Sequence, residues 1–519
     1  MNEAQLKLPN VPDDQVGGAL HLSTLRSHQR VFVNRSLRME SVEWIGFDMD
    51  YTLAIYRQEE IDKLSIEATV KKLVDRGYPP FLAEARFDTR FAIRGLLIDK
   101  RLGHVLKMDR YRYVGRAYHG MKELDREVRH ALYETRKVRV TGGRYHWIDT
   151  LYALPEAALY AGAVDVLDAY GVHVDYQQLF DDIRECIDEA HRDGSIVDVI
   201  ANDLPRFVDK DPMLASTLHK LRSAGKKLFL LTNSRWAYTD RMMKHLLHGA
   251  LPEYASWRQY FDVVSVAAGK PTFFTEKRPF LERTVDGPTE TTNPAYALER
   301  GRIYEQGNLK DFERMIRAYG DAILYVGDHI FGDILRSKKD SSWRTVLVVQ
   351  EMEWELEAMA RTQDDVAAID SLARRRERLE DELRYYQGRY RALTRKGAKD
   401  DAEASGARAA AAEESRRAVD GLKAALRTEE ARAREMGRRT QEVFHPYWGS
   451  LFKQGVELSS FGDQVEHYAC LYTSRVTNLL HYSPMHMYRS PRPHAARDDL
   501  SGGYIVRVLR SPTSFIPAT

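Results

Sequence analysis

Five short apolar runs, each closing on polar or acidic residues or leading straight into them, constrain this chain more than any other feature. They are Glu43–Asp50, Lys226–Asn233 (KKLFLLTN), Tyr260–Ala268 (YFDVVSVAA), Ala322–Asp328 (AILYVGD) and Thr345–Val349 (TVLVV). Apolar runs without alternation fit strands covered on both faces. Helical stretches such as Pro212–Ala224 and Asn308–Arg317 lie between these runs. Strand–helix alternation of this kind predicts an α/β fold built on a doubly wound parallel sheet. In such a sheet, ligands bind in the crevice outside the carboxyl ends of the strands. The strand ends here carry Asp48 and Asp50, Thr232 and Asn233, Lys270, and Asp328 with Asp333.

That set is chemically complementary. Hydroxyl, amide and cationic donors suit a phosphate, which Thr232, Asn233 and Lys270 provide. A hard divalent cation takes oxygen ligands, which Asp48, Asp328 and a backbone carbonyl can supply. Of two carboxylates two residues apart, one can attack phosphorus while the other handles protons. Each piece alone has a plainer reading: a turn pair, a helix cap, a loop lysine, a helix start. All four in order at predicted strand ends point to one site.

The 519 residues exceed what a single core accommodates. The 57–210 stretch between the first run and the second holds about 150 residues, far more than a crossover requires. The expected division is a catalytic core from 1–56 and 211–352, with a mainly helical cap at 57–210 inserted in it. The cap also holds β-like pieces at Gly95–Asp99 and His104–Met108. A helical hairpin is expected over 353–443, because Ile369, Leu372, Leu379, Leu383, Tyr386, Tyr390 and Leu393 keep a heptad spacing interrupted only by Arg376. Lys396 to Gly406 breaks this coiled-coil pattern. The Ala-, Arg- and Glu-rich second half carries a weaker seam at Val419, Leu422, Leu426 and Met436, where a second helix and a disordered charged linker both remain open. Residues 444–519 are read as a tail packing on the core or on another subunit, with a helical stretch from Asp463 to Leu480. The leader through Val31–Leu37 is expected to pack on the main domain.

A formal net charge of +2 gives no attraction to nucleic acid or to an anionic membrane. No segment approaches the apolar length of a bilayer span, and the first ten residues lack a signal peptide's apolar core. Two distant cysteines, Cys186 and Cys470, suit reduced thiols. The expected location is the cytoplasm.

The order DMDYT, LTNS, GKP, GDHIFGD resembles the haloacid dehalogenase superfamily of phosphohydrolases. More closely, the chain is similar to the cytosolic purine 5'-nucleotidases that prefer IMP and GMP, and to their bacterial relatives. VFVNRSL at 31–37, GFDMDYTLA at 46–54, RGLLID at 94–99, TLYALPE at 150–156, YVGDHIFGDILRSKK at 325–339 and GSLF at 449–452 carry the likeness, as does the segment 463–489. The resemblance implies that Asp48 is a nucleophile forming an aspartyl-phosphate and Asp50 the general acid/base. It implies that Thr232, Asn233 and Lys270 bind the phosphoryl group. Asp48, the Asp50 carbonyl and Asp328 would hold Mg²⁺, with Asp333 supporting its water shell or orienting Lys270.

The same resemblance makes Ile183–His191 the purine-contacting helix, with Arg184, Asp188 and His191 on the base and Tyr145 stacking on it. At i, i+4, i+7 these three share one helical face, which without the resemblance reads as an exposed face with an Arg–Asp pair. Arg192 and Val197 depart from the family pattern. The implied partners are a nucleoside 5'-monophosphate, a nucleoside acceptor, a nucleotide effector and further copies of the chain, as a dimer or tetramer. Two rival readings stay open: a phosphatase for another small phosphorylated metabolite, and an oligomeric scaffold that uses the hairpin.

Overall fold

The computed structural model describes residues 25–134, 138, 140, 142–284, 291–335, 341–395 and 402–490. The start of the leader, part of the GDHIFGDILRSKK motif (336–339), the break between the hairpin helices at 396–401 and the tail from 491 lie outside them.

Ten strands make the central sheet, in the spatial order Phe32–Val33, Leu471–Thr473, Arg344–Val348, Ile323–Gly327, Trp44–Phe47, Lys227–Leu231, Val263–Val266, Ile303–Gln306, Phe280–Thr284, Thr291–Pro294. From Leu471–Thr473 to Ile303–Gln306 every pairing is parallel, and antiparallel strands close both edges. The five predicted strands are all present. Trp44–Phe47 is buried throughout, which is why its sequence shows no alternation.

Strand order reverses at Trp44–Phe47. Later strands run outward on one side through Lys227–Leu231, then resume on the other with Ile323–Gly327. This is the topological switch point, where a crevice opens beyond the strand ends. Phe47 pairs with Leu230 on one flank and Val326 on the other, so Asp48, Leu231 and Gly327 come level. One face is held by an aromatic cluster around Phe229, whose ring centroid lies 4.7 Å from Phe312 and 5.9 Å from Trp343. Gly46 makes room for that ring, since a Cβ there would sit 2.1 Å from it. Full burial of such a ring contributes roughly 1.5–3 kcal/mol.

The 57–210 segment contains the helices Gln58–Asp75, Leu154–Ala169 and Tyr176–Arg192. It also contains a five-stranded antiparallel sheet in the order Lys122–Glu123, Val114–His119, His104–Met108, Leu96–Asp99, Tyr145–Ile148. The two β-like pieces of the sequence are strands of this sheet. Tyr176–Arg192 starts where Asp175 accepts the N–H groups of Gln177 and Gln178. It is amphipathic, burying Leu179, Phe180, Ile183, Cys186, Ile187 and Ala190.

Several segments differ from the sequence expectation, among them Ile303–Gln306, an interior parallel strand of the main sheet. The stretch 463–480 is not one helix. Ser460–Tyr468 is helical, but Leu471–Thr473 is a buried strand of the main sheet, pairing parallel to Arg344–Val348. Packing between two strands overrides local helical pattern there. Phe32–Val33 covers its outer edge, so the leader packs as expected. The strands Phe280–Thr284 and Thr291–Pro294 extend the other edge. They mix Thr, Arg and Glu with few apolar residues, and edge strands need no apolar run.

Trp354–Ser450 belongs to a second compact unit. Its helices Gln363–Thr394 and Ala402–Phe444 pack antiparallel, with Arg375 paired to Glu429 and Arg389 to Glu414. Every seam residue of the first helix is buried or half-buried, while Arg376 is exposed. The second half is helical from Ala402, through Gly406. Among the described residues no helix is long and apolar enough to cross a membrane, and both cysteines are free and buried.

Candidate active site

The extended chain leaves Trp44–Phe47 with the Asp48 N–H donating to the Val326 carbonyl at 2.9 Å. It then turns sharply: Leu53 and Ala54 both donate N–H to the Met49 carbonyl, and Tyr51 adopts a left-handed φ of 56°. That turn aims both carboxylates into the crevice. The neighbouring strand ends bring Lys270 and the Asp328–Asp333 segment to the same place.

Lys270 organises the anionic half. Its Nζ lies 3.0 Å from Asp48 Oδ2, and donates to Asp333 Oδ1 at 2.7 Å and to the Tyr325 hydroxyl at 2.8 Å. Burial works against its charge, but Asp333 and Asp48 outweigh burial and hold it protonated, well above the usual lysine range. Gly327 is required beside it, because a Cβ there would lie 2.4 Å from Asp333 Oδ2.

Carboxylate oxygens of Asp48, Asp328 and Asp333 all lie within 4.8 Å of one another. Burial pushes the Asp48 carboxyl up to about 7, with Asp333 and Asp50 adding to burial and Lys270 opposing it. Asp328 is driven up by burial, then by Asp333 and Asp48. Three crowded oxygen donors, Asp328 and Asp333 buried and Asp48 half-buried, facing Lys270 suit a hard divalent cation, so the donor set fits Mg²⁺.

Asp50 sits in different company. Its Oδ1 accepts from the Tyr56 hydroxyl at 2.5 Å and its Oδ2 from the Ser234 hydroxyl at 2.6 Å. Tyr56 is itself 2.8 Å from the Tyr238 hydroxyl. Burial raises the Asp50 pKa, while the Ser234 and Tyr56 hydrogen bonds restrain the rise. Ser234, Tyr56 and Tyr238 are not singled out by sequence reasoning. Ser234 is the last letter of LTNS; the tyrosines carry no local signal.

Thr232 is fully buried, and its hydroxyl accepts the Ser234 N–H at 3.1 Å. Asn233 binds the backbone of the lysine. Its Oδ1 accepts the Lys270 N–H at 2.6 Å and its Nδ2 donates to the Lys270 carbonyl at 2.9 Å. The side chain expected to hold phosphate thus also clamps the Lys270 main chain.

The expected base-contacting residues do not all converge. Arg184 Nη1 donates to His146 Nε2 at 2.8 Å and lies 3.4 Å from Glu156 Oε2. Its described ion pair is with Glu156, not Asp188. His146 is held neutral, its pKa lowered to about 4 by burial and by Arg184. Glu156 is pushed up to about 7 by burial, with Arg184 opposing. Asp188 is exposed. Tyr145 lies apart from Arg184: it precedes His146 on the Tyr145–Ile148 strand, and adjacent side chains point to opposite faces. Its ring packs against the apolar cluster around Leu97 and Leu106, with the Arg144 guanidinium 4.9 Å away.

The aromatic ring beside His191 is Tyr152, 5.7 Å away, which also lies 5.0 Å from Tyr51 and is 39% exposed. Tyr152 therefore lies between the helix carrying His191 and the acidic crevice. It belongs to TLYALPE, so the motif was its signal.

The model of the 5' nucleotidase family matches residues 31–498. A 5'-nucleotidase domain-containing protein of Dictyostelium discoideum is 29% identical over 89% of this chain and 73% of its own length. "5'-nucleotidase domain-containing protein 2" of Rattus norvegicus is 28% identical over 90% of this chain and 80% of its own. Among solved structures, CbbY from Rhodobacter sphaeroides in complex with phosphate aligns at 15% identity and a TM-score of 0.23, over 59% of this chain and 86% of that one. The family match spans both the core strands and the 57–210 insertion, and this chain belongs to the 5' nucleotidase family, as a phosphoric monoester hydrolase.

Proposed function

We propose that this protein is a Mg²⁺-dependent 5'-nucleotidase that dephosphorylates purine nucleoside 5'-monophosphates such as IMP and GMP. The observation that carries the reading is the convergence of Asp48, Asp50, Lys270, Asp328 and Asp333 at the sheet's switch point. Asp48 Oδ attacks phosphorus, and the bond from phosphorus to the nucleoside 5'-oxygen breaks. Asp50 gives its proton to that departing oxygen. Asp50 then takes a proton from water, whose oxygen attacks the phosphoryl group on Asp48, releasing inorganic phosphate and the Asp48 carboxylate. A nucleoside hydroxyl in place of water would give phosphotransfer.

Lys270, Thr232 and the remaining Asn233 donors face the phosphoryl oxygens. Asp48, Asp328 and the Asp50 carbonyl would hold Mg²⁺, with Asp333 beside them. Bound there, the cation neutralises charge between an anionic nucleophile and an anionic ester. For the base, Tyr152 supplies the exposed ring and His191 and Arg184 the polar contacts. The hairpin is assigned to self-association in the cytoplasm.

A panel of phosphate esters, assayed with Mg²⁺ and with EDTA, tests this directly. IMP and GMP should exceed sugar phosphates in kcat/KM, and EDTA should abolish turnover. Equal rates across the panel would remove the nucleotidase assignment, and activity surviving EDTA would remove the metal. Replacing 363–444 by a short linker should leave kcat intact and change only the oligomeric state seen in solution.

A further inference from the structure

Arg94 is a cation enclosed on all sides, its side chain 0% exposed, and the mechanism above makes no use of it. It comes from the 57–210 insertion, yet its hydrogen bonds reach into the core. Nε and Nη2 donate to the two carboxylate oxygens of Glu351 at 2.7 and 2.5 Å. Nη1 donates to the backbone carbonyl of Asp328 at 2.8 Å. The Phe461 ring packs 4.9 Å from the guanidinium. The residue before Glu351 holds a second point of the site: Gln350 Nε2 donates to the Tyr51 carbonyl at 3.0 Å, immediately after Asp50.

Gln350 and Glu351 therefore tie together the two loops that carry the acidic cluster. Gln350 grips the Asp48–Asp50 loop by the Tyr51 carbonyl, and Glu351, through Arg94, grips the Asp328 loop by its carbonyl. The dipeptide follows the Arg344–Val348 strand, which is part of the rigid sheet. Only a planar fork can serve Glu351 with two donors and a carbonyl with another, so lysine would not substitute. Isolating a guanidinium from water is costly, and a buried ion pair is often no more stable than apolar residues in its place. Stability alone is thus a poor account of the arrangement.

We propose that Arg94, with Gln350 and Glu351, is a positioning clamp that sets the spacing of the Asp48 and Asp328 loops and so tunes Mg²⁺ affinity. The inference rests on the reading of those carboxylates as the Mg²⁺ site. Partners that orient metal ligands typically change metal affinity by about 10- to 100-fold when removed.

The test is isothermal titration of the full chain with Mg²⁺ alone, without substrate, beside thermal melting. The double variant Arg94→Met/Glu351→Met removes both buried charges and should keep the wild-type Tm while weakening Mg²⁺ binding about 10- to 100-fold. Arg94→Lys should also weaken it, because it keeps the charge but not the fork. Unchanged Mg²⁺ affinity in a folded double variant overturns the clamp. Should that variant not fold, Gln350→Leu decides: it cuts only the Tyr51 hydrogen bond, and unaltered Mg²⁺ affinity again overturns the proposal. A wild-type chain that takes up no Mg²⁺ overturns the site reading itself, a result distinct from equal binding in wild type and variants.

Discussion

Asp48 and Asp50 are two residues apart, but their surroundings give them different work. Asp48 faces Lys270 and two other carboxylates, whereas Asp50 accepts from the hydroxyls of Tyr56 and Ser234. In the proposed mechanism Asp48→Asn removes the nucleophile and should lower kcat by at least about 10³-fold. Asp50→Asn should cost about 10²–10⁴-fold, the usual range for a general acid/base. Acid-quenched protein should retain labelled phosphate on wild type and none on Asp48→Asn; label on that variant would refute the assignment. Tyr56→Phe bears on protonation. The Tyr56 hydroxyl favours the charged form of Asp50, so its loss raises the Asp50 pKa further. Asp50 must be protonated to release the ester oxygen, so the alkaline limb of the kcat/KM profile should move to higher pH. A profile that stays put or shifts down would show that Asp50 is not the titrating acid.

At the scale of elements, strand ends and their glycines decide how close the groups come. Gly327 closes the Ile323–Gly327 strand with the Asp333 carboxylate packed where a side chain would stand. Gly327→Ala should displace Asp333 from Lys270, costing about 1–3 kcal/mol of stability, typical of overpacking. It should also slow turnover; denaturant melts and kcat together would reveal a wild-type-like variant if the close approach is unimportant. Register matters in the same way on the Tyr145–Ile148 strand. Because its side chains alternate, a one-residue difference puts His146 rather than Tyr145 against Arg184.

At the scale of the whole molecule, the central sheet is assembled from both ends of the described chain. Leu471–Thr473 lies between Arg344–Val348 and the Phe32–Val33 strand, and the rings of Tyr472 and Phe32 stack across that pair at 5.4 Å. Just before it, the Cys470 carbonyl accepts the N–H groups of Asn34 and Arg35, and the Cys470 N–H donates to the Thr345 hydroxyl. A chain ending at Ser450 would expose the Arg344–Val348 edge, an unpaired template for aggregation. It should be recovered as insoluble or unfolded protein. A soluble truncation with a wild-type Tm would show that the tail strand is dispensable.

The sequence by itself determined five of the sheet's ten strands, the order of its motifs and the seam of the first hairpin helix. Each depends on local pattern: unbroken apolar runs, acids at their ends, a heptad spacing. It also determined that Asp48, Asp50, Lys270, Asp328 and Asp333 belong to one crevice, because parallel topology brings like ends together. Only the tertiary structure decided that Asn233 clamps the Lys270 backbone, that Tyr152 rather than Tyr145 lies beside His191, and that 471–473 is a strand. Arg94, Gln350 and Glu351 likewise acquire meaning only in the folded chain. In each case the deciding partner is remote in sequence, and burial, register and hydrogen-bond completion between distant segments leave no periodicity to read.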